Sequence, residues 1–477
     1  MGPEHRLLTI VLLALVTIIA FEAMAISTAM PQVARDLDAV RSYGLAFSSF
    51  LTADLLGIVL AGVWADRRGP LPSLVAGQLL MAAGSAMAGL AQTFTVLLAG
   101  RLVAGLGAGL IVVALYVVVG RAYPDALRPR VFSWISAAWV LPSLVGPPVA
   151  GWLTSTWSWR LVFLIVLAPI AVTFVVVITQ RDHLGGSPAG EVEPGGESAD
   201  RGTADRESAG RSGHRRLALL GLGVAVSAGA MQWGSAQFST GRTLPIALTV
   251  LGLIGILATA PRLLPPGTLL LSRGLPAVMT SRFLLTAAFN GALTFIPLML
   301  VNERHLSLTI AGVMLATGSI GWTLGSFIQG QEAMHDRRTE LVIAGGLSLA
   351  GGILLLAAIA ELGWHYYVVG IATALCGLGM GLAMSSTGVL SLAMSPVSDH
   401  GRTSSALQLS EGLGSVMGIS AAGAVFAAMH NADGSDVRVF ELIWVFLAVV
   451  AALVMVSGQR TKTRSTHSDE ALSPLRS

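Results

Sequence analysis

Long apolar runs alternate with short polar segments along most of the chain. A helix needs about 20 residues to cross the hydrocarbon core of a bilayer. Fourteen apolar runs approach or reach that length, with approximate limits of 7–28, 44–64, 73–92, 96–118, 132–153, 160–179, 216–234, 244–262, 280–302, 307–329, 341–360, 365–389, 404–428 and 440–457. The pattern predicts an all-α membrane protein with fourteen transmembrane helices.

One long polar stretch interrupts this pattern. Residues 180–215 are rich in Gly, Ser, Asp, Glu and Arg and contain no aromatic residue, which predicts a disordered cytoplasmic linker. The linker follows a unit of six predicted helices, 1–179. After it come a pair of apolar segments at 216–262, six further helices at 263–458, and a polar tail at 459–477. We interpret the pair as two peripheral helices inserted between two six-helix bundles.

Composition and the distribution of basic residues support this interpretation. The chain is 54% hydrophobic and 12% charged, whereas ordinary soluble domains are about 25% charged. If the N-terminus is cytoplasmic, 21 of the 29 basic residues lie in cytoplasmic segments, six lie outside and two lie within helices. This bias predicts a multi-pass protein of the inner (cytoplasmic) membrane with both termini in the cytoplasm. Residues 23–25 resemble a signal-peptide cleavage site, but the apolar run continues to Met30, so we interpret it as the first helix.

Charged side chains inside the predicted helices are the first candidate site residues. An ionised group at bilayer depth is costly unless it faces a protein interior, a water-filled cavity or an opposite charge. Glu22, Asp54 and Arg101 lie about 8–15 Å below the predicted outer surface at 1.5 Å of rise per residue. We therefore expect these three residues to form one electrostatic unit.

Glu411 is a further acid, in the thirteenth predicted helix, about 10 Å inside the cytoplasmic face by the same rise per residue. Two interpretations remain open. Glu411 is either an additional proton or substrate site, or a structural residue paired with a backbone donor or with a polar neighbour such as Gln408. Both interpretations require a polar environment inside the membrane.

A glycine-rich signature occurs twice. The sequence G-L-G-A-G-L at 105–110 is similar to G-L-G-M-G-L at 377–382. Small residues let membrane helices approach each other closely, and internal repeats are common in transporters. The repetition indicates two related halves, although chance recurrence in a chain with 55 glycines is the alternative.

The turn after the second predicted helix carries a family resemblance. Its sequence, G-V-W-A-D-R-R-G at 62–69, is similar to the pattern G-x-L-a-D-R-x-G of the major facilitator superfamily. The matching positions are Gly62, Asp66, Arg67 and Gly69. Pro70 and Pro72 stand where the family usually has basic residues. A charged turn of this kind can clamp two helix bundles by an ion pair that breaks when they rock, or it can be an ordinary solvated turn.

Three more signatures strengthen the resemblance. Arg101 and Gly105 resemble the fourth-helix pattern R-x-x-q-G, with Ala104 at the glutamine position. Residues 21–31 resemble the first-helix pattern of the fourteen-helix drug:proton antiporters, with Glu22 at the place of its aspartate. The fifth predicted helix resembles the G-P-x-x-G-G pattern of antiporters through Gly146, Pro147 and Gly151. The resemblance implies the major facilitator fold, with two six-helix bundles plus two inserted helices, and an exporting function.

Polar and aromatic residues in the second half are weaker candidates. Asn290, Trp322 and Gln408 are candidates to line a cavity between the bundles. For Asn290 and Trp322 the alternative is ordinary packing between helices, which is the interpretation we favour.

The inventory of residues excludes several functions. The only lysine, Lys462, lies in the tail, so the chain has no G-x-x-x-x-G-K-[ST] phosphate-binding loop and is not itself an ATP-driven pump of that kind. Cys376 is the only cysteine, and the nine histidines lie in loops, tails or helix ends, so we expect no metal, no cofactor and no catalytic residue. A net charge of +3 gives no reason to expect a nucleic-acid partner.

These observations predict a transporter, not an enzyme. We expect a proton-coupled efflux antiporter that exports amphiphilic, often cationic drugs or antibiotics, because a carboxylic acid in a cavity can exchange a proton for a cation. Its partners would be a small-molecule substrate, protons and the lipid bilayer, with the protein acting as a monomer. The alternatives are a dedicated exporter of one endogenous metabolite, lipid or siderophore, and a non-transporting membrane sensor.

Overall fold

The structure is a computed structural model of the 477-residue chain. It describes residues 3–124, 127–180, 202–237, 243–396, 399–432 and 434–462. Most of the predicted linker and most of the predicted tail lie outside these ranges. The described part is helical, and the helices follow the apolar runs.

The N-terminal part contains eight helices. They are α1 (Pro3–Asp36), α2 (Tyr43–Arg68), α3 (Pro70–Gly89), α4 (Phe94–Ala122), α5 (Arg128–Ala137), α6 (Val140–Thr156), α7 (Arg160–Leu164) and α8 (Leu167–Thr179). Two helices follow, α9 (Gly202–Ser235) and α10 (Thr243–Thr259). The C-terminal part contains α11 (Leu275–Asn302), α12 (Leu308–Gln329), α13 (Arg338–Leu362), α14 (Tyr367–Ala393), α15 (His400–Met429) and α16 (Val437–Gln459).

Among the described residues, twelve helices are long and apolar enough to cross a membrane, so the predicted count of fourteen is not confirmed. The predicted run 132–153 is divided into α5 and α6, with Ala138 and Trp139 between them. Pro142 explains this break, because it has no N–H to donate to the carbonyl of Ala138 four residues earlier. The other unconfirmed run, 216–234, lies within α9.

The start of α9 corrects one predicted boundary. The helix begins at Gly202, so the last part of the stretch predicted as a disordered linker, up to residue 215, is helical. This segment contains Ala, Arg and Glu, which have high helix propensity, and it continues without a break into the apolar run that follows. The helix therefore extends beyond the part that can lie in the membrane.

Each half of the molecule is held together by close helix pairs. In the N-terminal half α4 packs against α2 and α3, and in the C-terminal half α14 packs against α12 and α13. A Cβ placed on Gly105 of α4 would lie 2.2 Å from the carbonyl oxygen of Phe50, and one on Gly377 of α14 would lie 1.9 Å from that of Gly318. Both positions therefore require glycine. The repeated signature thus makes the same kind of contact in both halves.

The two halves meet near one end of the molecule, which we call the distal end and define by Asp36 and Asn302. There Arg35 of α1 donates hydrogen bonds to Val301 and Asn302 of α11. The rings of Tyr43 and Phe295 lie 5.4 Å apart across the same boundary. The distal end is therefore closed. The opposite end, which carries Pro3 and Gln459, is called the proximal end.

The inserted helices pack at the boundary between the halves. Helix α9 contacts α2 of the first half and α15 of the second. Its Gln232 donates a 2.5 Å hydrogen bond to the Thr52 hydroxyl on α2, and its Val224 and Ala228 belong to an apolar cluster shared with Leu413 of α15. The α9–α10 pair is thus a peripheral hairpin that touches both bundles.

Candidate functional site

The first element of the site is a buried ion pair in the N-terminal half. Nη1 of Arg101 on α4 lies 3.0 Å from Oε1 of Glu22 on α1, and the side chains are 3% and 1% exposed. Nε of Arg101 donates to the carbonyl oxygen of Ala46 at 3.2 Å, and its guanidinium lies 4.2 Å from the centroid of the Phe50 ring. The guanidinium is thus held by α1 and α2 together, as a buried charge requires.

Glu22 is not fully satisfied by this arrangement. Its second carboxylate oxygen, Oε2, is buried and has no hydrogen-bond partner among the described residues. The hydroxyl of Ser85 on α3 is also buried without a partner of good geometry, and it lies within interaction range of Glu22. Because buried polar atoms in proteins are nearly always bonded, Oε2 is the position at which an added proton would gain a partner.

A second ion pair lies in the C-terminal half. Nη2 of Arg282 on α11 lies 2.9 Å from Oε2 of Glu411 on α15, with the side chains 11% and 32% exposed. Nη1 of the same guanidinium donates to the Met384 carbonyl at 2.5 Å and to the Thr387 hydroxyl at 3.0 Å, both on α14. Arg282 therefore joins three helices of one bundle.

Sequence analysis missed the role of Arg282. The partner of Glu411 is this arginine, whereas the suggested neighbour Gln408 is exposed. The sequence nonetheless indicates that Arg282 is a candidate, because it lies inside an apolar run. A charged side chain there costs free energy, as it does at Arg101. Which acid it meets depends on how α11 and α15 pack.

Asp54 does not join the pair formed by Glu22 and Arg101. Arg101 bonds to Ala46, eight residues earlier on α2, a separation of about 12 Å along a helix. Asp54 instead lies beside Gly109, where an added Cβ would be 2.2 Å from the Asp54 carbonyl oxygen. The expected three-residue unit is thus a pair plus a separate acid. Helix α2 runs roughly along α4, so Ala46 lies beside Arg101 and Asp54 lies beside Gly109, about two turns further along both helices.

Asp54 faces the C-terminal half. It lies within electrostatic range of Glu411, and the neighbouring Leu55 packs so closely on Gly412 that an added Cβ would be 2.3 Å from the Leu55 Cδ2 atom. Tyr116 of α4 is 45% exposed and also interacts electrostatically with Glu411. Residues of both halves therefore line a partly exposed region, proximal to the closed end, that contains two carboxyl groups and a phenol.

The motif of the fifth predicted helix lies where the halves touch. A Cβ on Gly151 would lie 2.5 Å from the Leu308 carbonyl oxygen on α12, and a Cβ on Gly312 of α12 would lie 2.4 Å from the Pro147 carbonyl oxygen. At Gly146 the nearest atom would be 3.6 Å away, which is an ordinary contact. Gly151 and Pro147 are thus part of the distal closure.

The turn between α2 and α3 is described only in part. Gly69 ends α2 with φ of +77°, and its N–H donates to the Ala65 carbonyl at 3.0 Å. This conformation favours glycine. The side chains of Asp66 and Arg67 lie outside the described part, and Gly62 has no atom within 4 Å of an added Cβ. The predicted clamp stays a prediction.

Two of the three cavity candidates of the second half, Asn290 and Trp322, have packing partners. Nδ2 of Asn290 donates to the Ser415 hydroxyl at 3.0 Å, which links α11 to α15. The ring of Trp322 lies 5.6 Å from that of Phe289 in an edge-to-face arrangement. Both observations are consistent with the packing interpretation. Within the described residues, no group of three or more His, Cys, Asp or Glu side chains could hold a metal ion.

The fold and the site together define a multi-pass α-helical membrane protein with two related bundles and charged groups buried between its helices. The profile of the Major Facilitator Superfamily matches residues 12–418 and 278–476. The chain belongs to the major facilitator superfamily. The predicted resemblance is confirmed at this level, and the family is one of transporters.

Relatives and solved structures agree with this assignment. Multidrug transporter protein MdtP of Bacillus subtilis is 26% identical over 420 residues, which cover 86% of this chain and 73% of that protein. A Mycobacterium tuberculosis protein named "Probable multidrug-efflux transporter" is 24% identical over 452 residues, with 93% and 91% covered. A peptide transporter POT in complex with sulfate has a TM-score of 0.68 at 14% identity, covering 95% of this chain and 96% of that chain. The structural likeness concerns the fold alone.

Proposed function

We propose that this protein is a proton-coupled efflux antiporter that exports amphiphilic, often cationic drugs or antibiotics across the cytoplasmic membrane. The observation that carries the proposal is the buried pair of Glu22 and Arg101, in which one carboxylate oxygen has no hydrogen-bond partner among the described residues. Such a carboxyl group can take up a proton, which would leave the Arg101 charge unpaired, and the same arginine stabilises the carboxylate again when the proton is released.

Export requires the site to face each side of the membrane in turn. The distal end is closed by Arg35 against Asn302 and by Gly151 against Leu308. Asp54, Tyr116 and Glu411 lie in the partly exposed region that is proximal to this closure. With the proximal end cytoplasmic, as we propose from the basic residues, this conformation would load substrate from the cytoplasm.

The substrate class follows from the chemistry of the same region. Two carboxyl groups from opposite halves and a phenol favour an organic cation with an apolar body, because carboxylates attract the charge and aromatic rings bind its face. The relatives named as multidrug transporters support this choice. Arg282 would hold Glu411 when no cation is present.

The membrane arrangement is part of the proposal. We place both termini in the cytoplasm and count fourteen crossings, with α5 and α6 together forming one crossing and α9 and α10 forming two. The packing of α9 against α2 and α15 supports a membrane location for the hairpin. Asp66 and Arg67 would form the gate of the α2–α3 turn at the cytoplasmic surface.

Purified protein in proteoliposomes tests this function. An imposed pH gradient should drive uptake of a cationic dye into vesicles in the direction opposite to proton flow, and dissipation of the gradient by an ionophore should stop it. A panel of cationic, neutral and anionic amphiphiles separates broad efflux from dedicated export of one compound. Substrate flux that is independent of the pH gradient would contradict proton coupling, and no flux of any compound would favour a sensor.

A further inference from the structure

A basic groove lies at the proximal end of the N-terminal bundle, away from the acids of the transport site. It has a volume of about 370 Å³ and is lined by Arg6, Thr9, Ile10, Arg130 and Trp134. Arg6, Thr9 and Ile10 belong to the first turns of α1, and Arg130 and Trp134 belong to α5. The groove is thus formed between two helices of one bundle where both approach the membrane surface.

The arginines of the groove have no carboxylate partner among the residues that the structure describes. Arg6 and Arg130 are exposed, and within the described part of the chain neither forms a salt bridge with a carboxylate. The guanidinium of Arg130 lies 5.1 Å from the centroid of the Trp134 ring, which fixes the end of its side chain beside the groove. Two arginine side chains that line one groove are suited to a phosphoryl group, because each guanidinium offers paired N–H donors.

The other residues that line the groove are apolar or already form a hydrogen bond within the protein. Ile10 is 63% exposed and, with Trp134, gives the groove an apolar side. The Thr9 hydroxyl lies 2.8 Å from that of Tyr123 and is thereby held in the wall. A ligand that fits must therefore carry an anionic head for the arginines and an apolar part for Ile10 and Trp134. The volume is in the range of ordinary small-molecule sites.

We propose that this groove binds the phosphate headgroup of an anionic phospholipid, with the start of an acyl chain against Ile10 and Trp134. The site lies at helix ends, where the proposed orientation places the inner leaflet and its anionic lipids. A free phosphate would use the arginines but leave the apolar wall exposed. Lipid binding here would fasten α5 to α1 and is independent of which substrate the transporter carries.

Native mass spectrometry of the full chain in detergent tests the proposal. The protein is titrated with dioctanoyl phosphatidylglycerol, with dioctanoyl phosphatidylcholine of the same chain length, and with inorganic phosphate. We expect phosphatidylglycerol to bind more tightly than the other two ligands. Arg6→Gln and Arg130→Gln should each weaken its binding on the order of fivefold, as expected for one arginine near an anionic lipid.

Matched variants separate the site from a general effect of charge. Arg262→Gln makes the same change at an exposed arginine that does not line the groove, and it should leave binding unchanged. The pair Arg6→Lys with Arg130→Lys keeps the charge and should restore part of the affinity. Equal losses in Arg262→Gln and Arg6→Gln would overturn the site. Equal affinity for inorganic phosphate and phosphatidylglycerol would overturn the lipid as its occupant.

Discussion

The guanidinium of Arg282 lies 2.9 Å from the carboxylate of Glu411, and both residues belong to the C-terminal bundle. The N-terminal bundle has its own pair, with Arg101 3.0 Å from Glu22. Each bundle therefore neutralises an acid with its own arginine, and neither of these pairs has to break when the bundles move relative to each other. Asp54 is the acid that has no such arginine among the contacts of the described residues.

The first prediction concerns the N-terminal pair. Arg101→Ala should abolish efflux driven by a pH gradient and should destabilise the protein by about 3–5 kcal/mol, because it leaves a buried acid without its partner. Glu22→Gln with Arg101→Gln removes both charges and should recover most of the stability. It should still fail to couple export to protons, because no carboxyl group remains at this pair. Thermal unfolding in detergent and flux in proteoliposomes measure the two effects.

The control for this prediction is Glu22→Gln alone across a range of pH. Full gradient-driven efflux in that variant, or in Arg101→Ala, would show that the N-terminal pair is not the coupling site. Glu411 would then be the better candidate, since it is the other acid that is paired with an arginine.

The second prediction compares the two arginines. Arg282→Gln should destabilise the protein less than Arg101→Ala does, because Glu411 is 32% exposed and water can solvate it once its partner is gone. Glu411→Gln should be tolerated well, since Arg282 keeps its bonds to Met384 and Thr387. Thermal unfolding of the three variants in one detergent gives the order. A larger loss of stability in Arg282→Gln would contradict it.

Much of this architecture is predictable from the sequence, and the reason is physical. Apolar runs of about 20 residues identify membrane helices because the backbone must satisfy its own hydrogen bonds in lipid. Arg101 and Glu411 are identified as candidate site residues because a charged side chain inside a membrane helix costs free energy. The break between α5 and α6 is also predictable, since Pro142 removes one hydrogen bond of the helix. The apolar pattern nonetheless predicts one helix at 132–153, where the structure has α5 and α6.

The pairing of residues could not be predicted in the same way. Glu22 and Arg101 are 79 residues apart, and Arg282 and Glu411 are 129 residues apart. Depth along the membrane normal follows from the rise per residue, but the face that each helix turns to its neighbours does not. Depth alone therefore groups Asp54 with Arg101, although Asp54 interacts electrostatically with Glu411 of the other half.

The third prediction concerns the distal closure. Gly151→Leu should block transport while leaving the protein inserted, because even a Cβ at this position would lie 2.5 Å from the Leu308 carbonyl oxygen and would keep α6 and α12 apart. Gly146→Ala is the matched control on the same helix, since its added Cβ would have 3.6 Å of space. Flux is compared at equal amounts of protein in the membrane. Normal flux in Gly151→Leu would show that close contact at this point is not needed.

The fourth prediction concerns topology. An epitope inserted between Gly195 and Gly196 should be accessible only from the cytoplasm, because the distribution of basic residues predicts a cytoplasmic location for this segment. An epitope inserted between Gly363 and Trp364, in the distal turn after α13, should be accessible from outside in intact cells. Antibody labelling before and after permeabilisation reads both positions. Labelling of the first epitope in intact cells would reverse the orientation and with it the proposed direction of transport.

The last prediction concerns Asp54 and Glu411, which belong to opposite halves of the molecule and lie within electrostatic range of each other. Two carboxylates in one partly exposed region repel each other, and a substrate cation between them would relieve that repulsion. Asp54→Asn should therefore reduce the export of a dicationic dye more than that of a monocationic dye, and should leave a neutral substrate least affected. Glu411→Gln should have a similar but smaller effect, because Arg282 already neutralises part of its charge.

Glu361→Gln, at an exposed acid near the end of α13, is the control and should change nothing. The measurement is the initial rate of export for the three substrates at one pH gradient. Equal losses for all three in Asp54→Asn would mean that Asp54 acts in the transport cycle itself and does not select the charge of the substrate.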